Sequence, residues 1–357
     1  MGVDAERRVF LARGNGDRVL DRRLLDDPEL VTDTRAWLGS PRDVLRVGAL
    51  SEASVAVAAD GEDVVVTLMT EDFAVFLYRW RREGGAFSRG PRTLVSPAAP
   101  ASPILPIGGS FDTFSATVGP YLTHLALDAR GRAFVALFAD RTRVARHNAV
   151  FGTSLSLLRE RIGPRENTSD ALVSRVERDG SAGFTAVVGT PDVEDELFGI
   201  AAGEDRVAVL GRSRRELGRD NTELHAMVSE LDLDGAPLGT TTVDARESGL
   251  AQSGAYDGAE LWVGGSEGWT QNPSGRSVLT PGRPMLLRLR VGASARVVER
   301  FDAILPATEG HAELRALAVG RGGIFLGGHE RGPLTHTADA ERSLARSDAW
   351  WCARATP

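Results

Sequence analysis

Arginine, tryptophan, histidine and aspartate side chains lie in polar segments of this chain, between short apolar stretches. Arginine carries a rigid fork of donors that suits carboxylates and carbonyl groups, and an indole ring can anchor a ligand. The candidate ligand-binding residues are Arg141, Arg143, Arg212, Arg215, Trp269, Arg276, His329, Arg331 and Asp112. Together they predict a mixed-charge pocket for a polar ligand such as a peptide.

The same residue types allow a second interpretation that needs no ligand. Acids such as Asp192, Asp195 and Glu247 stand in neighbouring polar segments and could pair with the arginines. Ion pairs at a protein surface contribute little net stability. Trp269 could also fold back onto its own Gly/Ser/Pro-rich loop. Both interpretations stay open at the level of sequence.

Catalytic and metal-binding patterns are weak in this sequence. His329 and Glu330 share one segment and His147 and His311 lie in others, but their spacing matches no zinc motif. The run at 232–235 resembles the start of a calcium loop but lacks the downstream glutamate. There is no nucleophile elbow, phosphate loop or dinucleotide fingerprint. We therefore expect no catalytic set, metal or cofactor.

Composition narrows the class of protein. The chain has 357 residues, is 42% hydrophobic and carries a net charge of -7, so nucleic-acid binding through a general basic face is not expected. All 42 basic residues are arginines, as a GC-rich bacterial genome would favour. Cys352 is the single cysteine, so an intramolecular disulfide and a cysteine-built zinc site are excluded. No run reaches the roughly 18 apolar residues of a membrane span.

The first residues bear on localisation. The segment 1–13 is charged and contains no apolar core of a signal peptide. If Met1 is the native start, the sequence predicts a cytoplasmic protein. The alternative is a periplasmic or secreted protein whose signal has been removed.

A two-part motif recurs five times along the chain. Its first half pairs two apolar stretches around a tight Gly- or Asp-containing turn. The five copies of this half lie at 54–68, 122–138, 198–211, 251–265 and 314–328. A second half alternates apolar and polar residues on both sides of a short turn, as at 284–301. Period-2 alternation is typical of half-buried strands, so each unit predicts four strands.

The two ends of the chain predict a closed ring. After the fifth first half, only one further strand, at 348–354, remains, and a hairpin-like pattern occupies 7–25. Strands from the two termini would then share one unit, which hides the open edges of a sheet array. We predict an all-β fold: a single β-propeller domain over 1–357, with five blades favoured and six possible. The segment 25–53 is predicted to be irregular and could hide the sixth blade.

Long loops are predicted to gather on one face of the propeller. They join second to third strands or connect consecutive units, and the longest are insertions at 96–120 and 139–170. The others are at 189–197, 212–221, 244–250, 266–283, 302–313 and 329–347. Long loops in compact domains are commonly functional. The short Asp-Gly turns should point to the opposite end and contribute no site.

The pattern across 50–354 resembles a known family. A second strand ending in Gly, a Ser/Thr/Arg/Gly-rich loop and a strand of the form apolar-x-Arg-apolar-x-x-x-Gly follow one another in the units. This resembles bacterial β-propeller repeat proteins of the SBBP type. The resemblance implies a propeller fold and no particular activity.

These observations favour a non-catalytic binding protein that recognises a peptide or protein segment through long Arg- and Trp-bearing loops. The alternative is a hydrolase or lyase that acts on a polar polymer with loop carboxylates or histidines. A structural envelope propeller is a third possibility. The sequence leaves the oligomeric state open.

Overall fold

A computed structural model of the chain consists of β-strands joined by turns and short connections in the part it describes. The described residues are 2–3, 9–10, 52–60, 63–70, 75–83, 86–90, 92–96, 123–139, 170–189, 194–218, 221–243, 249–268, 283–290, 296–301, 311–320, 323–331 and 348–354. The predicted insertions at 96–120 and 139–170 and the irregular segment 25–53 lie almost wholly outside them. In the described ranges no helix combines the length and apolar character needed to cross a membrane.

The first two large sheets occupy the N-terminal half of the described residues. Sheet 1 consists of β3 (Glu52–Asp60), β4 (Asp63–Thr70), β5 (Val75–Glu83), β6 (Ala86–Arg89) and β7 (Thr93–Ser96). β6 and β7 pair with opposite halves of β5, so they share the fourth position of the sheet. Sheet 2 consists of β8 (Thr123–Leu127), β9 (Ala133–Ala139), β10 (Asp170–Val176) and β11 (Ala182–Val188).

Three more sheets follow in chain order. Sheet 3 consists of β12 (Glu194–Ala202), β13 (Arg206–Gly218), β14 (Asn221–Asp232) and β15 (Pro237–Val243). Sheet 4 consists of β16 (Gly249–Asp257), β17 (Glu260–Glu267), β18 (Arg283–Arg290) and β19 (Arg296–Phe301). Sheet 5 consists of β20 (His311–Gly320), β21 (Gly323–Arg331) and β22 (Asp348–Arg354). Every pairing is antiparallel. In sheets 2 to 5 each strand lies beside its chain neighbour, which confirms the predicted four-stranded units in sheets 2, 3 and 4.

Two short strands precede these sheets. β1 (Gly2–Val3) pairs with β2 (Val9–Phe10), and both lie beside β3. Sheet 5 has three strands in the described part of the chain, with β22 at its edge. The predicted pairing of the two termini within one blade, and the number of blades, therefore remain predictions.

Three hairpins share one turn geometry because a glycine occupies the same place in each. The glycines Gly131, Gly180 and Gly235 have φ angles of 75°, 90° and 87°, which lie in the left-handed region. The amide of each glycine donates to the carbonyl three residues earlier, as from Gly131 to Asp128 at 2.9 Å. The Asp-Gly pairs at 179–180 and 234–235 predict tight turns, and the structure confirms both.

Consecutive sheets pack face to face, and the alternation of each inner strand serves two cores. In β13, Val207 and Val209 pack toward sheet 2, whereas Ala208 and Leu210 pack toward sheet 4. All four are fully buried. Burial of one such valine or leucine side chain is worth about 2 kcal/mol. Each middle sheet is therefore covered on both faces, the arrangement expected of consecutive propeller blades.

The same division occurs in sheets 2 and 4. In β9, Val135 packs toward sheet 1 and Phe134 toward sheet 3. In β17, Val263 packs toward sheet 3, and Trp262 joins Phe301 and residues of sheet 5. Trp262 lies within a strand pattern at 251–265, which predicts a core position between blades, and the structure confirms this position.

Substitution of Gly264 tests how closely sheets 4 and 5 approach each other. A Cβ at this position would fall on Cδ2 of the buried Leu314 in the next sheet. Gly264→Ala is expected to lower the free energy of unfolding by about 1–3 kcal/mol, because overpacking forces the neighbour to move. Urea denaturation monitored by tryptophan fluorescence would measure the loss.

Gly320→Ala is the matched control. Its added methyl group would meet the ring of Phe325 at an ordinary 3.5 Å. Equal losses in the two variants would contradict the close approach of sheets 4 and 5.

Candidate functional site

The first strands of consecutive sheets lie next to one another, and four of them carry a β-bulge near their start. β3, β8, β12, β16 and β20 contact each other in turn. The register shifts by one residue in β3, β12, β16 and β20. The extra residues are Ala53, Phe198, Gln252 and Arg315. A bulge re-aims a side chain out of the regular alternation, so we name Phe198, Gln252 and Arg315 the bulge row.

A glycine holds two of these bulges close together. A Cβ on Gly199, the residue after the Phe198 bulge, would fall on the carbonyl oxygen of Gln252 in the next sheet. The absence of a side chain therefore allows the two first strands to approach at the bulges. As a result, Phe198 and Gln252 are presented from adjacent strands on a tightly packed base.

Glu313 organises the other half of the bulge row. Its carboxylate is buried, and Oε2 accepts a hydrogen bond from Nε2 of Gln252 at 3.4 Å. The same oxygen lies 2.5 Å from Nε of Arg315. One carboxylate thus contacts two bulge side chains that come from two sheets.

Two polar groups of this arrangement have hydrogen-bonding capacity that the described residues do not use. Oε1 of Gln252 is buried and accepts no hydrogen bond. Arg315 is engaged by Glu313 through Nε, and its side chain is 51% exposed. A buried acceptor without a donor is costly, and a guanidinium offers five donors. The site therefore presents one acceptor and one donor fork side by side.

An aromatic-cation pair stands at the other end of the bulge row. The guanidinium carbon of Arg212 lies 5.6 Å from the centroid of the Phe198 ring. Arg212 belongs to β13 and pairs in register with Glu196. This distance falls within the range of a cation–π interaction.

The structure places four of the predicted site residues in strands. The predicted loop 212–221 is instead a hairpin in which β13 continues to Gly218 and β14 begins at Asn221, so Arg212 and Arg215 are strand residues. His329 and Arg331 lie in β21, and the backbone of His329 pairs with that of Glu313. The other five lie outside the described residues: Arg141, Arg143, Trp269, Arg276 and Asp112.

Buried acids also lie at this end of the sheets. Asp195 at the start of β12 is 2% exposed, and Glu267 at the end of β17 forms an ion pair with Arg300 of β19. This pair supports the interpretation in which acids and arginines satisfy each other. Among the described residues no group of three or more His, Cys, Asp or Glu side chains is placed to hold a metal ion.

Gln252, Arg315 and Phe198 were not among the residues that the sequence suggested. They lie in apolar strand patterns, where a one-residue shift of register leaves no mark in the sequence. His124 was also missed; it lies in the apolar pattern of β8, which pairs with β9 without a register shift. Its Nε2 is buried without a hydrogen-bond partner, and burial lowers the pKa of His124 to about 4.

Comparison with known proteins gives distant structural likenesses. The chain is similar to a neuraminidase-like protein from a flat-faced bat isolate from Peru, with 10% identity, a TM-score of 0.43, and coverage of 89% of this chain and 76% of that one. It is similar to a Pseudomonas brassicacearum lignostilbene dioxygenase, with 12% identity, a TM-score of 0.38, and coverage of 92% and 68%. It is also similar to a Pseudomonas aeruginosa periplasmic gluconolactonase, with 12% identity, a TM-score of 0.33, and coverage of 82% of this chain and 84% of that one.

The neuraminidase-like protein and the gluconolactonase are β-propeller proteins. No protein-family model matches the sequence, and no curated protein matches it either. The resemblance to SBBP-type repeats therefore stays a prediction. The propeller arrangement rests on this chain's own sheet order and packing.

His124 predicts a pH dependence of stability. The unfolded chain binds a proton at this ring near pH 6.5, and the folded chain binds it only near pH 4. The stability from the neutral ring is therefore complete above pH 6.5 and falls as the pH is lowered toward 4. The free energy of unfolding therefore rises with pH in this range. His124→Leu should lower the slope of that rise by up to about 1.4 kcal/mol per pH unit.

Urea unfolding of the wild type and of His124→Leu at several pH values between about 7.5 and 5 measures this slope. The free energies at pH 7.5 serve as the reference for each protein. Parallel pH profiles for the two proteins would show that His124 is not the group responsible.

Proposed function

We propose that this chain is a binding protein that takes a carboxylate-bearing peptide segment at the bulge row. The observation that carries the proposal is the pair formed by Gln252 and Arg315, both held by the buried Glu313. Arg315 would bind a ligand carboxylate or carbonyl group through its terminal nitrogens. Oε1 of Gln252 would accept a peptide N–H, and the ring of Phe198 would contact an apolar side chain.

The described residues support this function through their order. Phe198, Gln252 and Arg315 come from the first strands of sheets 3, 4 and 5, which lie side by side. An extended peptide that crosses these strands would meet the three side chains in succession. Arg212, stacked on Phe198, adds a second cation for an acidic ligand. The predicted loop residues Trp269, Arg276 and His329 would border the same site.

The five sheets also favour a ring of five blades. We propose that the termini close it by pairing strands, as the sequence predicts. In such a ring the first strands would surround a central channel, and the bulge row would lie at its mouth.

A hydrolase acting on a polar polymer is the second candidate. The observation that favours it is the carboxylate of Glu313 beside a guanidinium and an amide, with His329 as its cross-strand neighbour. A carboxylate in such a place could act as a general acid or base if substrate reached it.

Arg315 is the first residue to test for binding. Fluorescence polarisation with labelled peptides would measure binding. For each peptide, the affinity of the form with a free C-terminal carboxylate would be compared with that of the amidated form. Arg315→Ala should weaken binding of the carboxylate form by about tenfold to a hundredfold, because a charge-assisted hydrogen bond is lost. Arg315→Lys keeps the charge and lacks the fork, so it should restore part of the affinity.

The matched control is Arg290→Ala, since Arg290 is an exposed arginine with an ion pair to Glu260 at the other end of sheet 4. The affinity of Arg290→Ala for the peptide should equal that of the wild type. Failure of every peptide to bind the wild type, or an equal loss in both alanine variants, would overturn the proposal.

Substitution of Glu313 distinguishes the binding function from the hydrolase function. The wild type is expected to bind peptide and to release no p-nitrophenol from nitrophenyl glycosides or esters. Glu313→Gln should weaken peptide binding, because Arg315 and Gln252 lose the carboxylate that holds them. Turnover by the wild type that falls by about a hundredfold or more in Glu313→Gln would instead establish the hydrolase.

A further inference from the structure

A cluster of arginines lies at the opposite end of the sheets, between sheets 1 and 2. Asp63, the first residue of β4, is its centre. Nε of Arg178, in the turn between β10 and β11, donates to Oδ2 of Asp63 at 2.8 Å. From β5, Nη1 of Arg79 lies 3.6 Å from Oδ2, and Nε of Arg81 lies 3.8 Å from Oδ1. Three guanidinium groups thus surround one carboxylate.

The neighbouring acid does not balance this charge. Asp128 lies close enough to influence Arg79 electrostatically, but its carboxylate is already used in its own turn. It accepts hydrogen bonds from the amides of Arg130 and Arg132 and from Nε of Arg132, the last at 2.6 Å. With Arg132 included, four guanidinium groups face two carboxylates. Counted over the described side chains, the cluster carries a surplus of two positive charges, in a chain whose net charge is -7.

Arg79 is the most buried cation of the cluster and lacks hydrogen bonds, as does Oδ1 of Asp63. Its side chain is 8% exposed, and none of its three nitrogens makes a hydrogen bond. Nη2 of Arg132 is likewise buried without a partner. Burial, and then Arg178 and Arg81, lower the pKa of Arg79, while Asp63 opposes them. Arginine stays protonated in proteins, so the charge remains and requires an acceptor.

A similar cluster between sheets 3 and 4 shows what a satisfied arrangement looks like. Between sheets 3 and 4, Tyr256 donates to Glu230 at 3.0 Å, and Arg206 pairs with Asp205 at 2.9 Å and with Glu230 at 3.9 Å. There two carboxylates face one guanidinium, and each has a partner. Among the described residues, the two interfaces therefore differ in their charge balance, and the cations are in surplus between sheets 1 and 2.

We propose that the Asp63–Arg79–Arg81–Arg178 cluster binds a doubly charged tetrahedral oxyanion, a phosphate or sulfate group. Such an anion matches the surplus charge, whereas a single carboxylate would leave one positive charge in place. Arg79 would bind it from the buried side through its fork of donors. Arg81 and Arg178, whose side chains are 40% and 45% exposed, would bind it from the solvent side.

Gly131 lies beside Asp63 and Arg178 of this cluster. A Cβ there would lie 2.7 Å from Oδ2 of Asp63 and 3.3 Å from Cδ of Arg178, and the glycine has a φ of +75°. The bare backbone leaves space for these two side chains to meet. The turn between β8 and β9 thereby leaves room for Arg178 to reach Asp63.

Titration of the purified chain with inorganic phosphate or sulfate tests the proposal. Calorimetry gives the affinity, and thermal unfolding gives the shift in Tm against chloride at equal ionic strength. At a concentration near a hundred times Kd, either dianion should raise Tm by about 3 °C. Acetate, with one charge, should do no more than chloride. Phosphoserine in a further arm distinguishes an esterified phosphate from the free ion.

Arg79→Met keeps the apolar stem and removes the guanidinium, and it should abolish the shift. Arg206→Met, in the satisfied cluster, is the control and should retain it. If Arg79→Met does not fold, the variant Arg178→Gln in the surface turn takes its place. This variant should weaken phosphate binding at least about tenfold.

Three results would overturn the oxyanion site. The first is a wild type that responds to phosphate and sulfate no more than to chloride. The second is a shift that survives in Arg79→Met or Arg178→Gln. The third is an equal response to acetate, which would mean that the cluster recognises single carboxylates.

Discussion

Burial of both faces of each middle sheet is the constraint on which the rest of the structure depends. Because Val209 and Leu210 enter different cores, a strand such as β13 has no free face for polar side chains in its middle. Polar groups are therefore confined to strand ends, to turns and to places where the alternation breaks. The bulge row and the Asp63 cluster occupy such places.

The two ends of the sheets satisfy this constraint differently. At the end where the first strands begin, a one-residue shift in register releases Gln252 and Arg315 from the cores, and Glu313 then orders them. At the turn end, repeated glycine turns carry arginines over the edges of neighbouring sheets. The sequence suggested that these turns would be inert, yet the cluster around Arg79 lies there. Regular turns and a charged cluster are compatible, because the turn backbone repeats while its side chains differ.

Much of the fold follows from local patterns, and the sites follow from contacts that these patterns do not record. Alternation and turn glycines predict the four-stranded units and the core position of Trp262. The polar run at 212–221 reads as a loop, but pairing across β13 and β14 satisfies its backbone. Arg79 reads as the polar face of a strand, yet the fold buries it among Asp63 and Arg178. The blade number and ring closure depend on residues that no local pattern connects.

The chain-order topology of the sheets has a consequence for how the molecule forms. In sheets 2, 3 and 4 every strand pairs with the strand before or after it, so no described pairing there waits for a distant part of the chain. Short connections close quickly at a small entropic cost, and the cost rises only slowly across the longer one between β9 and β10. Each sheet can therefore assemble as it leaves the ribosome, and docking onto the preceding sheet can follow as a later step.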